Sequence, residues 1–156
     1  MWIMYRRFLL LAVSLLAWSR YSLAGEMCPW ITQGSAAKLL GGDVTASIHT
    51  ADNQQGSCTF SRLNGKVTYT LDVSVGRDGD ETCPRGSAEL RGIGNEAYFC
   101  TVKKSSSEAM EKISSRVRET PFSVTLSAVG PGNAMSDEAA RDLLDQVAEL
   151  VAGNLF

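Results

Sequence analysis

The sequence predicts an α+β fold: a single antiparallel sheet of about six strands, covered on one face by an N-terminal and a C-terminal helix and held by two disulfides. Three observations carry this reading. Several middle segments alternate apolar and polar residues with the two-residue period of a half-buried strand. One segment near each end carries a helix cap followed by apolar residues at helical spacing. Four cysteines, Cys28, Cys58, Cys83 and Cys100, make an even set.

The elements are expected in the following order. Thr32 caps a short helix through Leu40, with Ala36, Ala37, Leu39 and Leu40 as its apolar face and Gly41-Gly42 as its stop. Val44, Ala46 and Ile48 then alternate with Thr45, Ser47 and His49 as a first strand. Cys58 and Phe60 mark a second strand ending near Leu63, and Asn64-Gly65 reads as the central pair of a tight hairpin. The third strand has the cleanest period: Val67, Tyr69, Leu71, Val73 and Val75 point one way, Thr68, Thr70, Asp72 and Ser74 the other.

Residues 76–87 form a polar loop, and residues 92–96 a second tight segment. A strand over residues 97–102 carries Tyr98, Cys100 and Val102 on one face. Lys103-Lys104 reads as a solvated turn. Ile113, Ser115 and Val117 precede a turn at Glu119-Thr120-Pro121, and Phe122, Val124, Leu126 and Ala128 follow as its partner strand. Residues 130–133 break the chain. Ser136 caps the last helix, with Asp137 and Glu138 near its positive end. Its stripe is Ala140, Leu143, Leu144, Val147, Ala148 and Val151, and Gly153 is expected to end it.

The first residues bear on destination. Arg6 and Arg7 precede an apolar run over residues 8–18, which is shorter than the roughly 20 residues that span a bilayer. Ser22-Leu23-Ala24 places small residues at the positions a processing enzyme reads. The expectation is a cleaved signal peptide over residues 1–24 and one α+β domain over residues 25–156, periplasmic or secreted, with no membrane anchor after cleavage. Removing residues 1–24 leaves 12 basic against 17 acidic residues, a net charge of −5. That balance disfavours nucleic acid and anionic membrane as partners.

In an exported chain the four cysteines read as two disulfides. Three pairings are possible; Cys28–Cys58 and Cys83–Cys100 are favoured, because each ties a loop to a nearby strand. No C-x-x-C spacing exists and His49 is the only histidine, so a redox or metal site is not expected.

The remaining candidates each have a plainer explanation that outweighs the functional one. His49 sits on a Ser/Thr strand face and reads as an exposed residue rather than a catalytic base. Asp78, Asp80 and Glu81 carry carboxylates of the kind calcium takes, without the full spaced loop. The glycines Gly92 and Gly94 permit a tight turn; no helix follows to make a phosphate loop. Glu96 reads as a sheet-edge charge. Trp30, beside Cys28 and Pro29, is expected to pack on the disulfide and the first helix rather than serve as a ligand platform. Tyr98 and Phe99 point to opposite faces, so one of them is expected to be exposed. No catalytic residue, cofactor or metal is assigned.

Four segments, Cys28-Pro29-Trp30, Leu39-Leu40-Gly41-Gly42, Cys58-Thr59-Phe60 and the turn Gly92-Ile93-Gly94-Asn95-Glu96-Ala97-Tyr98, resemble in order the layout of small bacterial exported proteins and lipoproteins of unknown function. The resemblance spans residues 28–156 and implies an exported α+β domain with no known activity. Glu26, rather than a cysteine, follows Leu23-Ala24-Gly25, which departs from the lipidated members.

The expected function is a non-enzymatic binding or accessory domain of the bacterial cell envelope, its partner another envelope protein. A periplasmic protein inhibitor of an envelope enzyme is a specific form of that reading. A small hydrolase is the rival, requiring carboxylates such as Asp72 and Glu96 to converge.

Overall fold

A computed structural model of the chain describes residues 27–51, 55–76, 83–132 and 135–156. The expected signal peptide over residues 1–24, its processing site before Gly25, and the acidic run of Asp78, Asp80 and Glu81 lie outside the described residues.

The first helix, α1, spans Gln33–Leu40. It starts where the Thr32 hydroxyl accepts from the Ser35 N–H, satisfying a donor with no partner inside the helix. It stops at Gly41, whose φ of 79° lies in the left-handed region, and the next N–H, of Gly42, turns back to the Ala37 carbonyl. Ala36 and Leu40 are its buried residues.

Seven strands follow rather than about six: β1 Thr45–Thr50, β2 Gly56–Asn64, β3 Val67–Val75, β4 Ala88–Leu90, β5 Glu96–Lys104, β6 Glu108–Val117 and β7 Thr120–Val129. The extra one is β4, whose three residues are too few to show a period. All pairs are antiparallel, and the order across the sheet is β1-β2-β3-β7-β6-β5-β4. Two meanders, β1–β3 and β4–β7, therefore meet along the β3–β7 seam.

The alternation in β3 sets the core. Val67, Tyr69, Leu71, Val73 and Val75 are all buried, and each full burial of such a side chain stabilises by about 1.5–3 kcal/mol. Register carries this face sideways to Cys58 and Phe60 of β2, to Phe122, Val124 and Leu126 of β7, and on to Ile113 of β6. β1 is an edge strand and is mostly exposed; Ile48 is half-buried.

Four local expectations are corrected. In the β2–β3 hairpin Asn64 pairs with Val67, so the turn residues are Gly65 and Lys66, one position later than Asn64-Gly65. Gly65 has φ 62° while Lys66 does not enter the positive range, the pattern of a II′ rather than a I′ turn. The β6–β7 turn is Arg118-Glu119, and Pro121 lies inside β7 opposite Arg116, ahead of the point at Phe122 where β3 pairing begins. Lys103 and Lys104 end β5 and form ion pairs with Glu108 and Asp137 instead of a solvated turn. A register shift between Thr101 and Lys103 leaves Val102 as the extra residue of a bulge.

The last helix, α2, spans Asp137–Leu155, with the Ser136 hydroxyl accepting from the Ala139 N–H. The expected stripe is buried from Ala140 to Ala152. Gly153 does not end it; the helix runs on to Leu155, and the Asn154 side-chain amide donates to the Trp30 carbonyl at 2.8 Å. α2 contacts β6 and β7, and α1 contacts β2. Disulfides join Cys28 to Cys58 and Cys83 to Cys100, a state that fits an oxidising compartment.

Candidate functional site

Strand register aligns the polar alternates into cross-strand rows on the face opposite the core. The first row runs His49, Ser57, Ser74, Ser123 across β1, β2, β3 and β7. The second is Ser47, Thr59, Asp72, Thr125, and the third Thr45, Ser61, Thr70, Ser127. A fourth row, Leu63, Thr68, Val129, brings two exposed apolar side chains to one end. Neighbours in a row sit about 4.8 Å apart, and rows roughly 6.7 Å apart.

This patch is a hydroxyl lattice with very little charge. Eleven of these fifteen positions are Ser or Thr, and Asp72 is the one formal charge among them. Its carboxylate accepts from the Thr59 hydroxyl. Ser61 and Thr70 hydroxyls lie 3.4 Å apart, and Ser47 Oγ lies 3.3 Å from His49 Nε2. Each hydroxyl can donate and accept, so the patch can pair with neutral polar groups of either kind.

Towards β6 and β5 the same face is covered. The Cys83 N–H donates to the Ser114 hydroxyl, and Cys83 is bonded to Cys100 on β5. Ser114 and Lys112 are accordingly buried. Tyr98, in the row of Ser114, reaches past this cover and is 38% exposed. Phe99 points the other way, packs against the core and lies under the Arg141 guanidinium at 5.3 Å.

A concavity lies elsewhere, between the sheet and the start of α2. Ala109, Glu111, Leu126 and Ala128 line it from the sheet, and Met135, Asp137 and Ala140 from the helix side. Its volume of about 20 Å³ is water-sized. Glu111 is only 6% exposed, and its Oε2 has no hydrogen-bond partner among the described residues. Burial pushes its carboxyl above the ordinary range; the Asp137 carboxylate adds to the rise and Lys104 opposes it. Asp145 on α2 is also raised, by burial first, against the pull of Arg141.

The residues singled out from sequence are spread across the molecule. His49 is exposed at the edge of the lattice. Trp30 is 2% exposed and belongs to the core. Asp72 and Glu96 do not converge: they lie three strand steps and four residues apart, roughly 20 Å. Glu96 instead faces Arg116 at 3.5 Å. Gly92 and Gly94 shape a turn that plugs the end of the sheet: Ile93 is buried, its carbonyl accepts from the Ser115 hydroxyl, and the Asn95 N–H donates to the Arg116 carbonyl. Glu111 went unnoticed in the sequence, although it falls two residues before Ile113 in the core-facing phase of β6. An acid on the inward phase of a strand is the signal that finds it.

Among the described residues no group of three or more His, Cys, Asp or Glu side chains could hold a metal ion, and no helix is long and apolar enough to cross a membrane. Compared with family models, curated proteins and solved structures, the chain has no match.

Proposed function

We propose that this protein is an exported, non-enzymatic binding domain that presents the hydroxyl lattice of its sheet to another protein of the bacterial cell envelope. In this reading residues 1–24 are its signal peptide, and both helices cover one face of the sheet and leave the other open. Two contacts support the helix arrangement. Ala140 of α2 lines a cavity with Leu126 and Ala128, and the Leu40 carbonyl of α1 accepts from Arg62; all three sheet residues share the core-facing phase. The disulfides support export.

The observation that carries the proposal is the lattice itself. Solubility needs polar residues on an open face, and the usual supply is charged. Here the supply is Ser and Thr, with Leu63 and Val129 exposed beside them at 70% and 49%. A surface of short side chains loses little side-chain entropy when covered, and its hydroxyls cost less to desolvate than charges provided that the partner bonds them. Inhibition of an envelope enzyme is the form this binding takes if the partner is catalytic. The hydrolase alternative has weaker support: Glu111 and Asp137 share a cavity, but it is water-sized and Lys104 holds Asp137.

The test is affinity capture of the tagged full chain from native envelope extract, beside the Thr70→Lys variant. A protein enriched near stoichiometrically by the parent and lost from the variant supports the proposal. Equal recovery by both, or an empty eluate from folded oxidised protein, overturns it.

A further inference from the structure

The core-facing side of the sheet holds a second polar feature, where α2 begins. Glu111 of β6 stands between Thr101 of β5 and Leu126 of β7, and only 6% of it is exposed. Its Oε2 has no hydrogen-bond partner among the described residues. An orphaned buried oxygen is costly, and such groups persist in native folds where an ion or a water serves them.

The cavity that Glu111 lines has Asp137 on its helix side, and its other lining residues are apolar. Its volume of about 20 Å³ takes one water-sized occupant and leaves no room for an organic ligand. The charged groups it offers are carboxylates, with no imidazole or thiolate beside them. Hard oxygen donors of this kind suit calcium and magnesium.

We propose that this cavity is a weak site for one hard divalent cation of the calcium class, held between the Glu111 and Asp137 carboxylates and completed by water. Asp137 is paired with Lys104, but the two side chains are 68% and 60% exposed, so the ammonium can swing out and release the carboxylate. The cation takes its place and reaches further, to the buried acid that Lys104 does not bond. Only two protein carboxylates contribute, and the positive end of α2 opposes them, so the dissociation constant should fall at roughly 10⁻⁴–10⁻³ M, the range of extracellular calcium modules. Protons compete for the same oxygens. Asp137 and Lys104 are the charges acting on Glu111, while β7 brings only Leu126 and Ala128, so binding should weaken as pH falls towards 4.5. The site shares no residue with the hydroxyl lattice, so either proposal can fail without the other.

The test is calorimetric titration and thermal melting of the oxidised full chain at pH 7 with calcium chloride, against sodium chloride of equal ionic strength. One calcium ion per chain is expected, with a melting midpoint that climbs as calcium is added. Glu111→Gln keeps the shape of the side chain but not its charge, and should lose both signals. Lys104→Met removes the competing ammonium from an exposed position and should bind calcium several-fold more tightly. A parent that shows neither heat nor rise, an equal rise in Glu111→Gln, or weaker binding by Lys104→Met overturns the proposal.

Discussion

Glu111 on β6 and Asp137 in the first turn of α2 line one cavity, but their charges are handled differently. Asp137 has Lys104 at 2.5 Å, whereas Glu111 Oε2 has no hydrogen-bond partner among the described residues. One carboxylate sits in water beside a cation; the other is buried, and the Asp137 charge weighs on it more than the Lys104 charge does. The pair thus holds an electrostatic penalty that appears only when Glu111 ionises.

That penalty gives the protein an inverted acid response at this site. Glu111 is raised above its ordinary value of 4.5, so the folded state holds the proton more tightly than the unfolded state. The favourable contribution is fully present below the unfolded pKa and is lost as pH rises through the folded pKa. Glu111→Gln removes this dependence. The variant should be more stable than the parent at pH 7, because it has no charge to bury beside Asp137, and the gap should close as pH falls towards 4.5. Denaturant titrations across that range measure it; a constant gap, or a destabilised variant at pH 7, contradicts the reading.

The glycines of the turn before β5 should differ sharply in tolerance. Gly92 and Gly94 both have positive φ, 90° and 62°. A Cβ on Gly92 meets open space, whereas one on Gly94 would sit 2.4 Å from the Arg116 carbonyl oxygen. Gly92→Ala should therefore cost only the backbone strain, about 1–2 kcal/mol. Gly94→Ala adds a clash with backbone, which cannot rotate away, and should cost more than 3 kcal/mol or prevent folding. Thermal melts of the two variants decide the order.

The disulfides should contribute unequally, in the order of the loops they close. Cys28–Cys58 spans 30 residues and Cys83–Cys100 spans 17. On the chain-entropy account these separations correspond to roughly 3.6 and 3.1 kcal/mol. Replacing each pair by serines should destabilise both variants, the first slightly more. The second should also expose Lys112 and Ser114, which faster hydrogen exchange at the residue 83 amide, released from the Ser114 hydroxyl, would report.

Much of this architecture was legible because it is local. The Thr32 and Ser136 caps, the Gly41 stop and the five-residue alternation of β3 are each decided by residues within a few positions, and the chain adopts them. The misses have a common physical origin. Pro121 and Gly153 read as boundaries from their intrinsic preferences, but tertiary contacts carry the elements past them: β6 pairs with Pro121, and Asn154 is tied to Trp30. β4 has no period to read and exists through its pairing with β5. The lattice was half legible. The polar phase of each strand is visible in sequence, but the rows arise from strand order, which brings β7 beside β3 from about fifty residues away.

The seam between β3 and β7 also divides the molecule by history of synthesis. Strands β1 to β3 contact their chain neighbours, as do β4 to β7, and each disulfide ties a segment ahead of a meander to a strand of that same meander. Neither crosslink waits for the seam to form. Cys28 and Cys58 both precede Cys83 in the chain, so the first loop is complete in sequence before the second begins. Each native pair joins cysteines that are consecutive along the chain, and the β3–β7 seam is the strand pairing of longest sequence separation.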